Sequence, residues 1–239
     1  MAALRSPGKA ITLPLGRTNA GIAAWYEKKL RILIRRMHRD TVQTVRTYYR
    51  RAEPELAQDE NPVTALDIIL EKLKKKWLRI FEDHASTLAE HFVKSCQNDC
   101  EGDLRRRLKR AGFGVTFKPN AAMQRRLKVA INYNVGKIKS IAEQYHDGVN
   151  TLVTNSVMKG GDIGALTKEL QARYGISERK AAFIAEDQNH KINQAVERMR
   201  DIELGLDKSK WRHCGGGRHP RPEHVKADGR IYETAKGCL

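Results

Sequence analysis

The stretch Ile22–Arg51, IAAWYEKKLRILIRRMHRDTVQTVRTYYRR, holds neither glycine nor proline. Tyr26, Leu30, Leu33, Met37, Thr41, Thr44 and Tyr48 recur in it at steps of three and four, the spacing of one buried helix face. At ~100° per residue, Lys28, Arg31, Arg35, Arg39, Arg46 and Arg50 fall on the opposite side. An apolar seam and a basic seam thus run back to back on one helix. The pattern predicts a mainly α protein of long antiparallel helices. It also marks the six cations as DNA-binding candidates, because no acid is interleaved among them and a cationic face meets phosphates without choosing a sequence.

The rest of the chain reads outward from this helix. Residues 1–20 carry Pro7, Gly8, Pro14 and Gly16 and form an extended arm. Pro54 lies in a polar break, and Asn61-Pro62 gives the cap and first turn of a second helix running to about Cys96. Its stripe is Leu66, Leu70, Leu73, Trp77, Ile80, His84, Leu88 and His91. A short, very basic helix, Leu104–Arg110, ends at Gly112 and Gly114, and its Arg105, Arg106, Arg107, Lys109 and Arg110 are a second set of DNA-binding candidates. Asn120 caps a long helix over about 121–156, with Leu127, Ile131, Asn134, Ile138, Ile141, Tyr145 and Leu152 on its inner side. Gly160-Gly161-Asp162 is a turn, Ile163–Tyr174 a short helix closed by Gly175, and Ser177 caps the last clear helix. The inner stripe of that last helix is Ala181, Ala185, Gln188, Ile192, Ala195, Met199 and Ile202. From Gly205 onward glycine, proline and histidine replace aliphatic residues, so residues 205–239 form a small α/β or irregular module with a β-hairpin as one form. The segments are then an N-terminal arm (1–20), an N-terminal helical region (21–118), a central helical region (119–204) and the C-terminal module (205–239).

Composition narrows the function classes. With 239 residues, 45 Lys and Arg against 28 Asp and Glu, the chain carries a net charge of +17 that calls for an anionic partner. Aromatic residues make up only 6%, against 31% charged, which suits amphipathic helices with thin cores rather than a β-sandwich. No apolar run approaches the ~20 residues of a membrane span, and the first residues lack the core of a signal peptide. Four cysteines do not make a disulfide scaffold, so synthesis in a cytoplasm is expected. Seams on helices this long are hard to bury within one chain, so packing on another copy or on a partner protein is expected.

Most reactive side chains read as structural. His84 and His91, seven apart on an apolar stripe, fit core or helix-interface positions better than a metal pair. Cys96 and Cys100, four apart, read as inert thiols. In the C-terminal module, His213, Cys214, His219, His224 and Cys238 are the metal-ligand candidates, but they follow no standard zinc spacing. No carboxylate cluster accompanies them for two-metal nuclease chemistry. Gly215-Gly216-Gly217 lacks the Lys-Ser/Thr of a phosphate-binding loop. No cofactor and no catalytic residue is expected.

One series of motifs resembles a known family. Trp211, a polar loop, and then Arg221-x-x-His224-x-x-x-x-Gly229 resembles the C-terminal motif of the phage Mu F-like minor head proteins, also called head morphogenesis proteins. Ahead of it, Gly160-Gly161-Asp162, Leu166, Leu170, Tyr174-Gly175-Ile176-Ser177 and Arg179-x-Ala181-x-x-Ile184-Ala185 is similar to the family's signature. The resemblance covers about residues 120–235. Two departures stand out. Glu186-Asp187-Gln188 replaces the usual Glu or Thr-Glu, and the chain stops at Gly237-Cys238-Leu239 where many members continue to a Cys-Arg-Cys segment, as a short or truncated member would. The resemblance implies a minor virion component of a tailed bacteriophage. Such a protein sits inside the capsid at or near the portal vertex, in contact with portal protein, packaged double-stranded DNA and, in some cases, scaffold or major capsid protein. It implies no catalytic role, and Trp211, Arg221, His224, Asp228 and Gly229 would hold the module together, with Trp211 buried and Arg221 and His224 hydrogen-bonded inside it. The residues alone leave two alternatives: a general DNA-binding protein without a capsid role, and a metal-dependent nuclease built on the histidine-rich module.

Overall fold

The computed structural model describes residues 12–52, 62–159, 162–213 and 221–236. The chain is mainly α, with α1 (Ala20–Ala52), α2 (Pro62–Arg110), α3 (Ala121–Met158) and α4 (Ile163–Glu203) followed by β1 (Lys208–Lys210), α5 (Pro222–Lys226) and β2 (Ile231–Glu233). It divides into two compact units. One comprises Asn19–Cys96 and Arg125–His190, and the other Met1–Thr18, Gln97–Gln124 and Lys191–Leu239. Neither is a single stretch of chain, because α2, α3 and α4 each give a segment to both.

The first unit is an up-down-up-down four-helix bundle. Trp25 meets His91 and Asp40 meets Trp77, so α1 and α2 are antiparallel. Glu82 pairs with Lys139 and Lys74 with Asp147 across α2 and α3, Ser140 binds Lys180 across α3 and α4, and Arg31 faces Glu178 across α1 and α4. Each of these neighbours runs antiparallel. Inside, Tyr26 stacks on Phe92 with ring centres 4.0 Å apart. The Tyr26 hydroxyl donates to Asn134 Oδ1 at 3.3 Å, and Asn134 Nδ2 reaches Gln188 Oε1 at 3.4 Å. A line of polar groups thus crosses an apolar interior, where an unpaired partner would be costly, and it selects one register of the helices.

Helix starts follow side-chain chemistry. Asn19 accepts the Gly21 N–H at 2.9 Å, Asn120 the Met123 N–H at 2.6 Å and Asp162 the Gly164 N–H at 2.7 Å, so each satisfies a donor that the first turn leaves open. Helix ends follow glycine. Gly112 (φ 90) and Gly205 (φ 72) take the left-handed conformation that lets Phe113 N–H reach Leu108 O and Leu206 N–H reach Asp201 O.

Two predicted breaks are absent. α2 does not stop near Cys96, since Cys100, Leu104 and Leu108 are buried and continue its inner face to Arg110. α4 does not stop at Gly175; it runs unbroken, and the Ser177 hydroxyl donates back to Arg173 O inside the helix instead of capping a new one. Two predicted stripes also drift. On α2 the buried series after Trp77 is Phe81, Ala85, Ala89, Phe92 and Cys96, while His84 and His91 are exposed. On α4, Val196 and Arg200 are buried and Ile202 is 49% exposed. A step of seven lags a 3.6-residue helix by ~20° per heptad, so a heptad reading slides off the inner face.

In the second unit β1 and β2 pair antiparallel, with Ser209 opposite Tyr232. Trp211 extends the ladder, donating to Arg230 O and accepting from Gly229 N–H. The hairpin is tied to α4 by Arg198, whose guanidinium donates to the carbonyls of Thr234 (3.1 Å) and Ala235 (2.6 Å).

Candidate nucleic-acid interface

The basic seam of α1 is where the sequence placed it, and α4 turns part of it into a groove. Arg35, Arg39, Arg46 and Arg50 line a trough of about 660 Å³ together with His38, Val42, Gln43 and Thr47 of α1 and Thr167, Gln171 and Tyr174 of α4. No carboxylate is among these residues. All four arginines are exposed, and none makes an ion pair among the described residues. Steps of four, seven and four keep them on one side of the helix over ~22 Å at 1.5 Å per residue.

The floor is aromatic. His38 stacks on Tyr174 with ring centres 4.7 Å apart, and its ring nitrogens meet the Tyr145 hydroxyl at 2.9 Å and Gln171 Oε1 at 3.3 Å. Desolvation lowers the His38 pKa, against smaller opposing effects of Gln171 and Glu178. The Tyr174 hydroxyl donates to Glu178 Oε1 at 2.6 Å.

Not every predicted cation joins the site. Arg31 is half-buried and paired with Glu27 at 2.7 Å, with Glu178 at 3.6 Å, so its charge is already answered. Lys28 is exposed but lies outside the groove. In the second unit Arg105, Arg106, Lys109 and Arg110 are exposed. Arg107 is not: it is buried against Glu197 (2.5 Å), Asp103 (2.8 Å) and the Pro14 carbonyl (3.0 Å), which removes it as a phosphate ligand. The groove residues from α4 were missed as binding residues. Tyr174 stood in the family signature, but nothing local showed that it faces α1.

The C-terminal motif is partly as expected. Asp228 accepts the His213 N–H at 2.9 Å, which holds its carboxyl below the usual range. Gly229 (φ 79) needs a residue without Cβ to close the turn. Trp211 is half-buried rather than buried; its indole N–H donates to His224 O at 3.1 Å, and its ring meets the His224 ring edge-on at 5.3 Å. The Arg221 side chain is exposed and makes no hydrogen bond among the described residues, so its part in the motif is its backbone carbonyl, which accepts from His224 and Val225 at the start of α5. Cys214, His219 and Cys238 lie outside the described residues, and no cluster of three His, Cys, Asp or Glu suited to a metal occurs among the described ones. Cys96 and Cys100 are buried, and desolvation pushes the Cys100 thiol up to about 12. No helix among the described residues is long and apolar enough to cross a membrane.

Comparison with known proteins places this geometry in context. A Haemophilus influenzae protein described as "Uncharacterized protein" is 25% identical over 222 residues, covering 88% of this chain and 47% of its own length. The chain thus spans about half of that relative. No solved structure matches. Residues 147–237 match the model of the family described as "Phage Mu protein F like protein". That segment contains the groove's α4 wall and the whole C-terminal hairpin, and with it the chain carries a Phage Mu protein F-like region.

Proposed function

We propose that the chain is a bacteriophage head morphogenesis protein, a minor capsid component that holds packaged double-stranded DNA along the basic side of α1 and has no catalytic role. The match of residues 147–237 carries the first part of this reading. The four exposed arginines that line the groove, none of them in an ion pair among the described residues, support the second. A location inside the capsid near the portal, with portal protein as partner and further copies or capsid proteins packed alongside, completes the proposal. Exposed apolar side chains support a protein partner: Val129 and Tyr133 on α3, and Ile176 and Phe183 on α4, are all at least 46% exposed.

Binding to duplex DNA should be independent of sequence and fall steeply with salt. Four phosphate contacts give a slope of log K against log[salt] of about −3.6, at ~0.9 per phosphate. Replacing Arg35, Arg39 and Arg46 by Gln should flatten that slope by ~2–3 and leave helicity unchanged. An unchanged slope in the triple variant would remove the groove from DNA contact. Co-purification with a portal oligomer separates a head protein from a general DNA-binding protein, which would bind DNA equally well and portal not at all.

A further inference from the structure

The groove has two walls of different chemistry. Arg35, Arg39, Arg46 and Arg50 stand on α1, while α4 supplies the neutral Thr167, Gln171 and Tyr174. A cationic ridge alone would suit a duplex lying across it. Axes of neighbouring helices lie ~8–10 Å apart, so a groove between them suits one extended strand better than a duplex. Its floor also offers something that duplex DNA cannot use. The stacked pair of His38 and Tyr174 lines the groove, with an interplanar angle of 22°. Hydrogen bonds to Tyr145, Gln171 and Glu178 fix both rings in place, so an incoming base does not have to order them. Bases in a duplex are stacked on each other, whereas those of a single strand are free to stack on protein rings, and every base has a face to offer.

We propose that the groove seats one sugar–phosphate strand, with its phosphates on the α1 arginines and a base against the Tyr174–His38 pair, so that single-stranded nucleic acid binds here more tightly than duplex. The inference rests on the reading of the groove as a nucleic-acid site. The full chain is titrated with a labelled twelve-nucleotide oligothymidine and with a duplex of the same length, across a salt series. The single strand should bind more tightly, with a slope of about −2.8 for four phosphates at ~0.7 each. Tyr174→Leu should weaken the single strand about tenfold, within the range for one lost stacked base, and change duplex binding less than twofold. A 5-iodouracil oligonucleotide irradiated with the unaltered chain should cross-link to the tryptic peptide Tyr174–Arg179. Duplex binding as tight as the single strand, an equal effect of Tyr174→Leu on both, or cross-links confined to other peptides would overturn the inference while leaving duplex binding by the arginines in place. If neither nucleic acid binds, both readings fall, and an acidic protein segment becomes the ligand to test.

Discussion

At the residue scale, two buried polar side chains carry unusual weight. Arg200 is 2% exposed, and its guanidinium binds Glu101 (2.6 Å), Glu203 (2.5 Å) and the Lys118 carbonyl (3.1 Å) above the Phe117 ring. Replacing it with Met strands Glu101, so Arg200→Met should lower stability by ~3–5 kcal/mol in urea denaturation. His146 is the reverse case: it is fully buried, and neither ring nitrogen has a hydrogen-bond partner among the described residues. Desolvation and, to a lesser degree, the Lys74 charge push its pKa down to about 4, against weaker opposition from Asp147 and Asp40. Unfolding restores the ordinary value near ~6.5, so between there and about 4 the unfolded chain binds the extra proton and stability falls as pH falls. His146→Leu should therefore reduce the acid loss of stability, by ~2 kcal/mol at pH ~4.5 relative to neutral pH. Parallel stability curves for the two proteins across that window would remove His146 from the acid response.

At the element scale, glycines inside helices separate local propensity from packing. Gly175 in α4 looks like a helix end by sequence, yet an added Cβ there would meet nothing closer than Arg179 Nη1 at 3.8 Å. Gly175→Ala should therefore raise stability by ~0.5–1 kcal/mol through helix propensity alone. Gly148 in α3 differs, because an added Cβ would displace the Arg173 guanidinium, which crosses there to donate to the Gln144 carbonyl. The atoms displaced are the end of a long side chain, so Gly148→Ala should gain less stability than Gly175→Ala. Thermal melts should rank Gly175→Ala above Gly148→Ala, whereas a helix broken at Gly175 would make Gly175→Ala destabilising. Neither glycine's neighbour is visible in its own element, since one has open space and the other a side chain from a different helix.

At the scale of the whole molecule, the second unit is held where three distant stretches meet. The Pro14 carbonyl, Arg107 of α2 and Glu197 of α4 join in one cluster, and a Cβ at Gly16 would come within 2.8 Å of both the Arg107 and Glu197 side chains. Gly16→Val should disturb that pair and lower stability by ~1–3 kcal/mol, while leaving the salt dependence of DNA binding unchanged, because the α1 groove lies in the other unit. A change in the salt slope would instead tie the cluster to the interface. The amino-acid sequence by itself determined the helical class, the cap at Asn120, the turn at Asp162, the stop at Gly112, the change of character at Gly205 and the basic side of α1. Each of these is local, set by spacing along one helix or by the conformation open to one residue. Tertiary structure alone decided that α2 and α4 run on through their expected breaks, because buried contacts outweigh a glycine's ~1 kcal/mol cost. It also decided which cations are exposed. Arg107 and Arg35 read alike in sequence, but Glu197, distant in sequence, joins the nearby Asp103 in burying the first, whereas the second stays exposed beside Tyr174 of α4.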